Sequence, residues 1–174
     1  VDHIFDEIQA TLNCGIWFPA LATTLIIPDA CGTVEFAGDK PSARYIRWYD
    51  QWVLPHFTCK VAKVDGAAIY KVRNAMMHEA SGFTRGNEGF DRIIFRPPGA
   101  TSINFLMSEP GYGKERALLI SIREFVDAVL AGAAEWIEQV RNRTDDPRNI
   151  GINALLQVRP QGIMPHFTGS LVIA

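Results

Sequence analysis

The sequence predicts a mainly helical α+β fold: a helical bundle with a small antiparallel β-hairpin or sheet. Three observations carry this. Apolar residues recur at helical spacing in four stretches up to residue 82, and again from 122 to about 142. Between 92 and 120 the period changes to short, strand-like runs. Pro97-Pro98-Gly99-Ala100 separates the first two runs, as a turn between paired strands would.

Residues 2–15 read as a first helix, with Asp2 as cap and Ile4, Phe5, Ile8 and Leu12 on one face. Residues 18–37 read as a second, with Pro19 tolerated in its first turn and Leu21, Leu25, Cys31 and Val34 inward. Pro28 is expected to kink or divide it. Asp29, an acid within an apolar segment, reads first as a cap for the second half, and second as a polar group aimed at the next-but-one helix. After a turn at 38–42, Ser42 caps a third helix over about 43–54. Tyr45, Ile46, Trp48, Tyr49, Trp52 and Val53 make it the most aromatic segment, and Arg44 and Arg47 give it a basic side. Aromatics interleaved with arginine could stack bases; a packed core helix explains the same residues more simply. Pro55 ends it, and 57–64 is a connection.

The fourth helix, 66–82, organises the rest. Asp65 is its N-cap and Gly82 its stop. Ile69, Val72 and Met76 form an apolar stripe at i, i+3 and i+7. Asn74 and His78 are i, i+4 neighbours on the far side, with Lys71 beside them. Arg73 lies further round, its long side chain able to bend toward His78, and Tyr70 and Met77 occupy the neighbouring arc. Cations are favoured near a helix C-terminus in any case. Large apolar groups on the non-core side, however, suggest that this face is also covered.

Beyond this helix, 92–95 and 102–107 read as strands joined by the 97–100 turn, and 117–120 as a third. Ser121-Ile122-Arg123-Glu124 is a capping box that starts a helix over 122–142, with Phe125, Val126, Val129, Ala133, Trp136 and Val140 buried. Residues 1–142 form one domain and 143–174 an extension packed on it. In that tail, 153–158 is a short helix or strand and 169–174 a strand. Pro-His-Phe-Thr occurs at 55–58 and again at 165–168 with unmatched flanks, so His56 and His166 join no site.

Arg73-Asn74-x-x-x-His78, on a helix after an apolar run, resembles the Arg-x(4–6)-His motif of the HEPN superfamily. These are helical domains, many of them metal-independent ribonucleases, and a polar residue directly after the Arg is typical. Four helices, a small sheet and a long Phe- and Trp-bearing helix resemble one bacterial branch of HEPN-like proteins, so the likeness spans roughly 2–142. It implies RNA cleavage to a 2′,3′-cyclic phosphate and a 5′-hydroxyl, and pairing of two chains through the motif helix.

The residues themselves can do that chemistry. A histidine moves protons near neutral pH. An arginine stabilises phosphorane oxygens with a forked, permanent charge. An amide orients the phosphate or the imidazole. His78, Arg73 and Asn74 are the candidate catalytic residues, and Lys71, Arg44 and Arg47 the candidate substrate contacts. One imidazole cannot hold the nucleophile and leaving-group positions at once, so a homodimer bringing two motif helices together is expected. Neither Arg73 nor His78 lies on the apolar stripe, so replacing either should leave the fold intact. The other reading is an inactive HEPN-like module that binds a nucleotide or a protein partner.

Composition narrows the classes. A chain of 174 residues suits one domain and needs no disulfide staple. Its three cysteines, Cys14, Cys31 and Cys59, match no zinc or redox spacing, so they read as buried thiols in a reducing cytosol. No run of 18 apolar residues predicts a membrane span. A net charge of −2 argues against a general nucleic-acid binder. Residues 40–96 nevertheless hold ten Lys and Arg against five Asp and Glu, a net of +5 that reads either as a phosphate-attracting field or as ordinary solvated surface. No cofactor is implied. His78-Glu79 offers two metal ligands, but no His-Glu-x-x-His follows, and no phosphate-binding glycine loop or hydrolase elbow is present.

Overall fold

A computed structural model describes residues 2–79, 89–97, 105–108, 116–143 and 145–155, with 158–159, 162–163, 167–168 and 172–173 in the tail. Its main elements are helices. Helix α1 (Asp2–Asn13) leads into α2 (Trp17–Glu35), α3 (Pro41–Trp52), a 3-10 turn at Leu54–His56 and α4 (Gly66–Glu79). Three strands follow, β1 (Arg92–Arg96), β2 (Phe105–Ser108) and β3 (Arg116–Ser121), then α5 (Ile122–Arg141) and α6 (Arg148–Ala154). Two small strand pairs close the chain. They are β4 (Val158–Arg159) with β7 (Val172–Ile173), and β5 (Gly162–Ile163) with β6 (Phe167–Thr168), both antiparallel. Among the described residues no helix is long and apolar enough to cross a membrane.

The mainly helical expectation holds, and the hairpin does not. β1 and β2 are not partners. β3 lies between them, parallel to β1 and antiparallel to β2, giving the order β1-β3-β2. The physical reason is burial. Ala117 through Ser121 are all buried, whereas the only buried residue of β1 is Ile93, between arginines at both ends. A continuously apolar strand is most stable in the middle of a sheet, covered on both faces. Residues 98–104 of the expected turn and strand lie outside the described part, as does Gly82.

Two helix starts also differ. Pro28 sits inside α2 without dividing it. α3 begins at Pro41, whose missing N–H costs nothing at a first helical position; Ser42 is therefore inside the helix, not its cap. The cap before α5 matches its expectation, since the Ser121 side chain accepts from Glu124 N at 3.4 Å.

The core is built from the aromatic face of α3 against α5. Trp48 meets Trp136 edge-on at 6.1 Å, and Phe125 meets Phe57 at 5.9 Å and Phe95 at 5.2 Å. The first two are edge-to-face and the third tilted, and such edge-to-face contacts add to the burial itself. Trp136 Nε1 donates to Glu35 Oε2 at 2.8 Å, which satisfies an otherwise buried indole. α5 comes closest to the end of α3 at Gly132. A Cβ there would overlap the Trp52 carbonyl oxygen and lie 2.7 Å from its carbon.

Candidate functional site

α4 is anchored at its start by two carboxylates. Asp65 Oδ1 accepts from Ala68 N at 3.0 Å, the expected cap. Asp50, from α3, accepts from Gly66 N at 2.7 Å. Although Asp50 is exposed, partial desolvation of its carboxylate, helped by the charge of Asp65 and opposed by the Gly66 hydrogen bond, raises its pKa above the ordinary value of 3.8. A pKa raised on folding means the folded state holds the proton more tightly. Its contribution therefore favours folding at low pH and fades as pH rises through the raised value. Asp50→Asn keeps an oxygen for Gly66 N and cannot ionise. In urea unfolding from pH 3 to 7, its stability relative to the parent is expected to rise above pH 3.8 and then level off. A difference independent of pH would show that Asp50 carries no such strain.

From this anchor α4 buries Ile69, Val72 and Met76, the stripe read in the sequence, and Ala68 beside them. Arg73 and Asn74 are half-buried and His78 is exposed. Arg73 Nη2 lies 2.7 Å from Asp29 Oδ2 of α2, with the two side chains 25% and 20% exposed. Arg73 Nη1 donates to Asn74 Oδ1 at 3.2 Å. The contact with Asp29 is an off-axis ion pair, since neither Asp29 Oδ2 nor Arg73 Nε has an aligned hydrogen bond. Because α2 is unbroken, Asp29 has no helix start to cap. Its carboxylate faces the motif instead, which corrects the first reading of this residue.

Tyr45 of α3 completes the cluster. Its hydroxyl donates to Leu25 O at 3.1 Å and its ring lies 5.2 Å from that of Tyr70. Burial, with Tyr49, Asp29 and Tyr70 nearby, raises its pKa well above 10 despite the opposing Arg73. The phenol is therefore a fixed donor at neutral pH.

Lys71 is half-buried and already engaged. Arg47 pairs with Asp39 at 3.3 Å and lies 4.1 Å over the Phe36 ring, at the corner joining α2 and α3. Arg44 is half-buried, its carbonyl close against Gly32 of α2. Asp29, Tyr45, Tyr70, Arg73 and Asn74 thus come together. Among the described residues no hydrogen bond joins His78, in the last turn of α4, to another residue, and the Arg73 guanidinium is turned to Asp29 and Asn74.

One polar cluster has no counterpart in the sequence reading. Arg148 of α6 bridges Glu35 of α2 and Asp146, and Glu35 also holds Trp136. The Arg148 side chain, then its backbone N–H, hold the Asp146 pKa down to about 2. No spacing announces it, because Glu35 and Arg148 are 113 residues apart. A cavity of about 670 Å³ lies between the end of α2 and α6. It is lined by neither Arg73 nor His78. His56 Nε2 lies 2.8 Å from Glu135 Oε2 of α5, an exposed contact.

Compared with protein-family models, with curated proteins and with solved structures, the chain finds no match.

Proposed function

We propose that this chain is a metal-independent endoribonuclease of the HEPN type. The observation that carries the reading is the setting of Arg73. A guanidinium on the motif helix is oriented by a carboxylate from another helix and by the adjacent amide, yet remains a quarter exposed. An open imidazole stands five residues on. In this reading one His78 takes the proton of the RNA 2′-hydroxyl, whose oxygen attacks the neighbouring phosphorus. The P–O5′ bond breaks as the leaving oxygen gains a proton from a second imidazole. Arg73 stabilises the charge on the phosphorane, and Asn74 and Asp29 hold Arg73 in place. The products are a 2′,3′-cyclic phosphate and a 5′-hydroxyl.

Two imidazoles require two chains. We infer a two-fold homodimer with residues 70–78 near the axis. Ile26, one turn before Asp29, and Met77, one turn after Arg73, are 42% and 46% exposed and supply apolar surface beside the ion pair. Light scattering is expected to report a dimer at about tens of micromolar. A monomer there counts against the shared site.

A second reading is an inactive HEPN-like module that binds a nucleotide or a protein partner. It is favoured by the engagement of the Arg73 guanidinium with Asp29 and Asn74 rather than with His78. Incubation with mixed RNA in EDTA decides between them. The ribonuclease is expected to cut and leave cyclic-phosphate ends. No cleavage with or without EDTA passes the site to the binding module, and cleavage that EDTA abolishes overturns the metal-independent mechanism.

A further inference from the structure

We propose that Tyr45 is a positioning residue for Arg73, a strut between the two helices that carry the Asp29–Arg73 ion pair. Its hydroxyl holds Leu25 O on α2, one turn before Asp29. Its ring packs on Tyr70 of α4, one turn before Arg73, at 57° between planes. One fully buried side chain therefore touches both helices at the same level below the pair.

α2 needs such support here. Pro28 has no N–H for the Thr24 carbonyl one turn earlier. The Thr24 hydroxyl donates back to Ala20 O at 2.7 Å, a bond that tends to bend helices. On the far side of Asp29 a second contact fixes α2 to α3. A Cβ on Gly32 would lie 2.9 Å from Arg44 O, so the backbones are already in close contact. α2 is thus held to α3 both before and after Asp29, and α3 sets the reach from Asp29 to Arg73. A displacement of about 1 Å at such a group can cost a reaction about 100-fold.

The consequence for cleavage rests on the ribonuclease reading; the mechanical link does not. The test is a double-mutant cycle on stability, with Asp29→Asn, Arg73→Gln and the pair together, in the parent and in Tyr45→Phe. Urea unfolding gives the coupling between Asp29 and Arg73 as a ratio of equilibrium constants. In Tyr45→Phe that ratio is expected to fall about fivefold. A purely structural tyrosine would weaken every member of the cycle equally, and an unchanged ratio overturns the proposal. If Tyr45→Phe does not fold, the same cycle in Tyr70→Leu, which removes the ring contact on α4, is expected to lose coupling likewise. Unchanged coupling there overturns it. The cycle involves no cleavage, so it decides the inference whether or not the protein cuts RNA.

Discussion

Replacing His78 with alanine is expected to lower RNA cleavage about 10²–10⁴-fold without moving the unfolding midpoint. The imidazole is exposed on the last turn of α4 and is not part of the core. Arg73→Ala is expected to cost at least about 100-fold in cleavage, but not cleanly. It leaves the Asp29 carboxylate, only 20% exposed, facing no guanidinium. A stability loss of about 1–3 kcal/mol should accompany it. This revises the expectation, based on the apolar stripe alone, that both variants are neutral for folding. Cleavage rates and urea unfolding on the two variants separate the roles. Full activity in His78→Ala would remove the imidazole from the mechanism and overturn the HEPN-type assignment of the site.

The largest expected loss of stability from one added carbon is at Gly132. The obstacle is backbone, namely the Trp52 carbonyl and, 3.2 Å away, Val53 Cα. Neither can swing aside as a side-chain end would. Gly132→Ala must push α5 from the end of α3, where Trp48 and Trp136 are packed edge-on. The cost should reach about 3 kcal/mol, the upper part of the usual overpacking range. For a chain of this size that corresponds to a fall of roughly 6–12 °C in Tm. A change within about 1 °C would mean that α5 has room to move and that the helix contact is looser than its geometry implies.

Helix spacing was readable because each helix buries one stripe, and Ile69, Val72 and Met76 do so as expected. Pairing of strands was not, because the reading joined neighbours in sequence. The signal that could have corrected it was present: Ala117-Leu118-Leu119-Ile120 is apolar without alternation, whereas β1 carries an arginine at each end. Asp29 is an odd acid in an apolar segment, and both of its roles are visible in the sequence. Choosing between them required knowing that Pro28 leaves α2 whole and that α2 runs beside α4. Tyr45 looked like one aromatic among many. Its hydroxyl partner is a backbone carbonyl twenty residues away, and no side-chain pattern reports a carbonyl.

The order β1-β3-β2 also fixes a sequence of assembly. The middle strand is the last of the three to be made. Until residues 116–121 arrive, neither β1 nor β2 has its neighbour in this sheet. Helices α2, α3 and α4 lie ahead of all three strands in the chain, so they are made before β3 arrives. The cluster of Asp29, Tyr45 and Arg73 therefore belongs to the part that can form early. The sheet closes later, when β3 enters between two strands already synthesised and α5, continuous with it, lays Phe125 against Phe95.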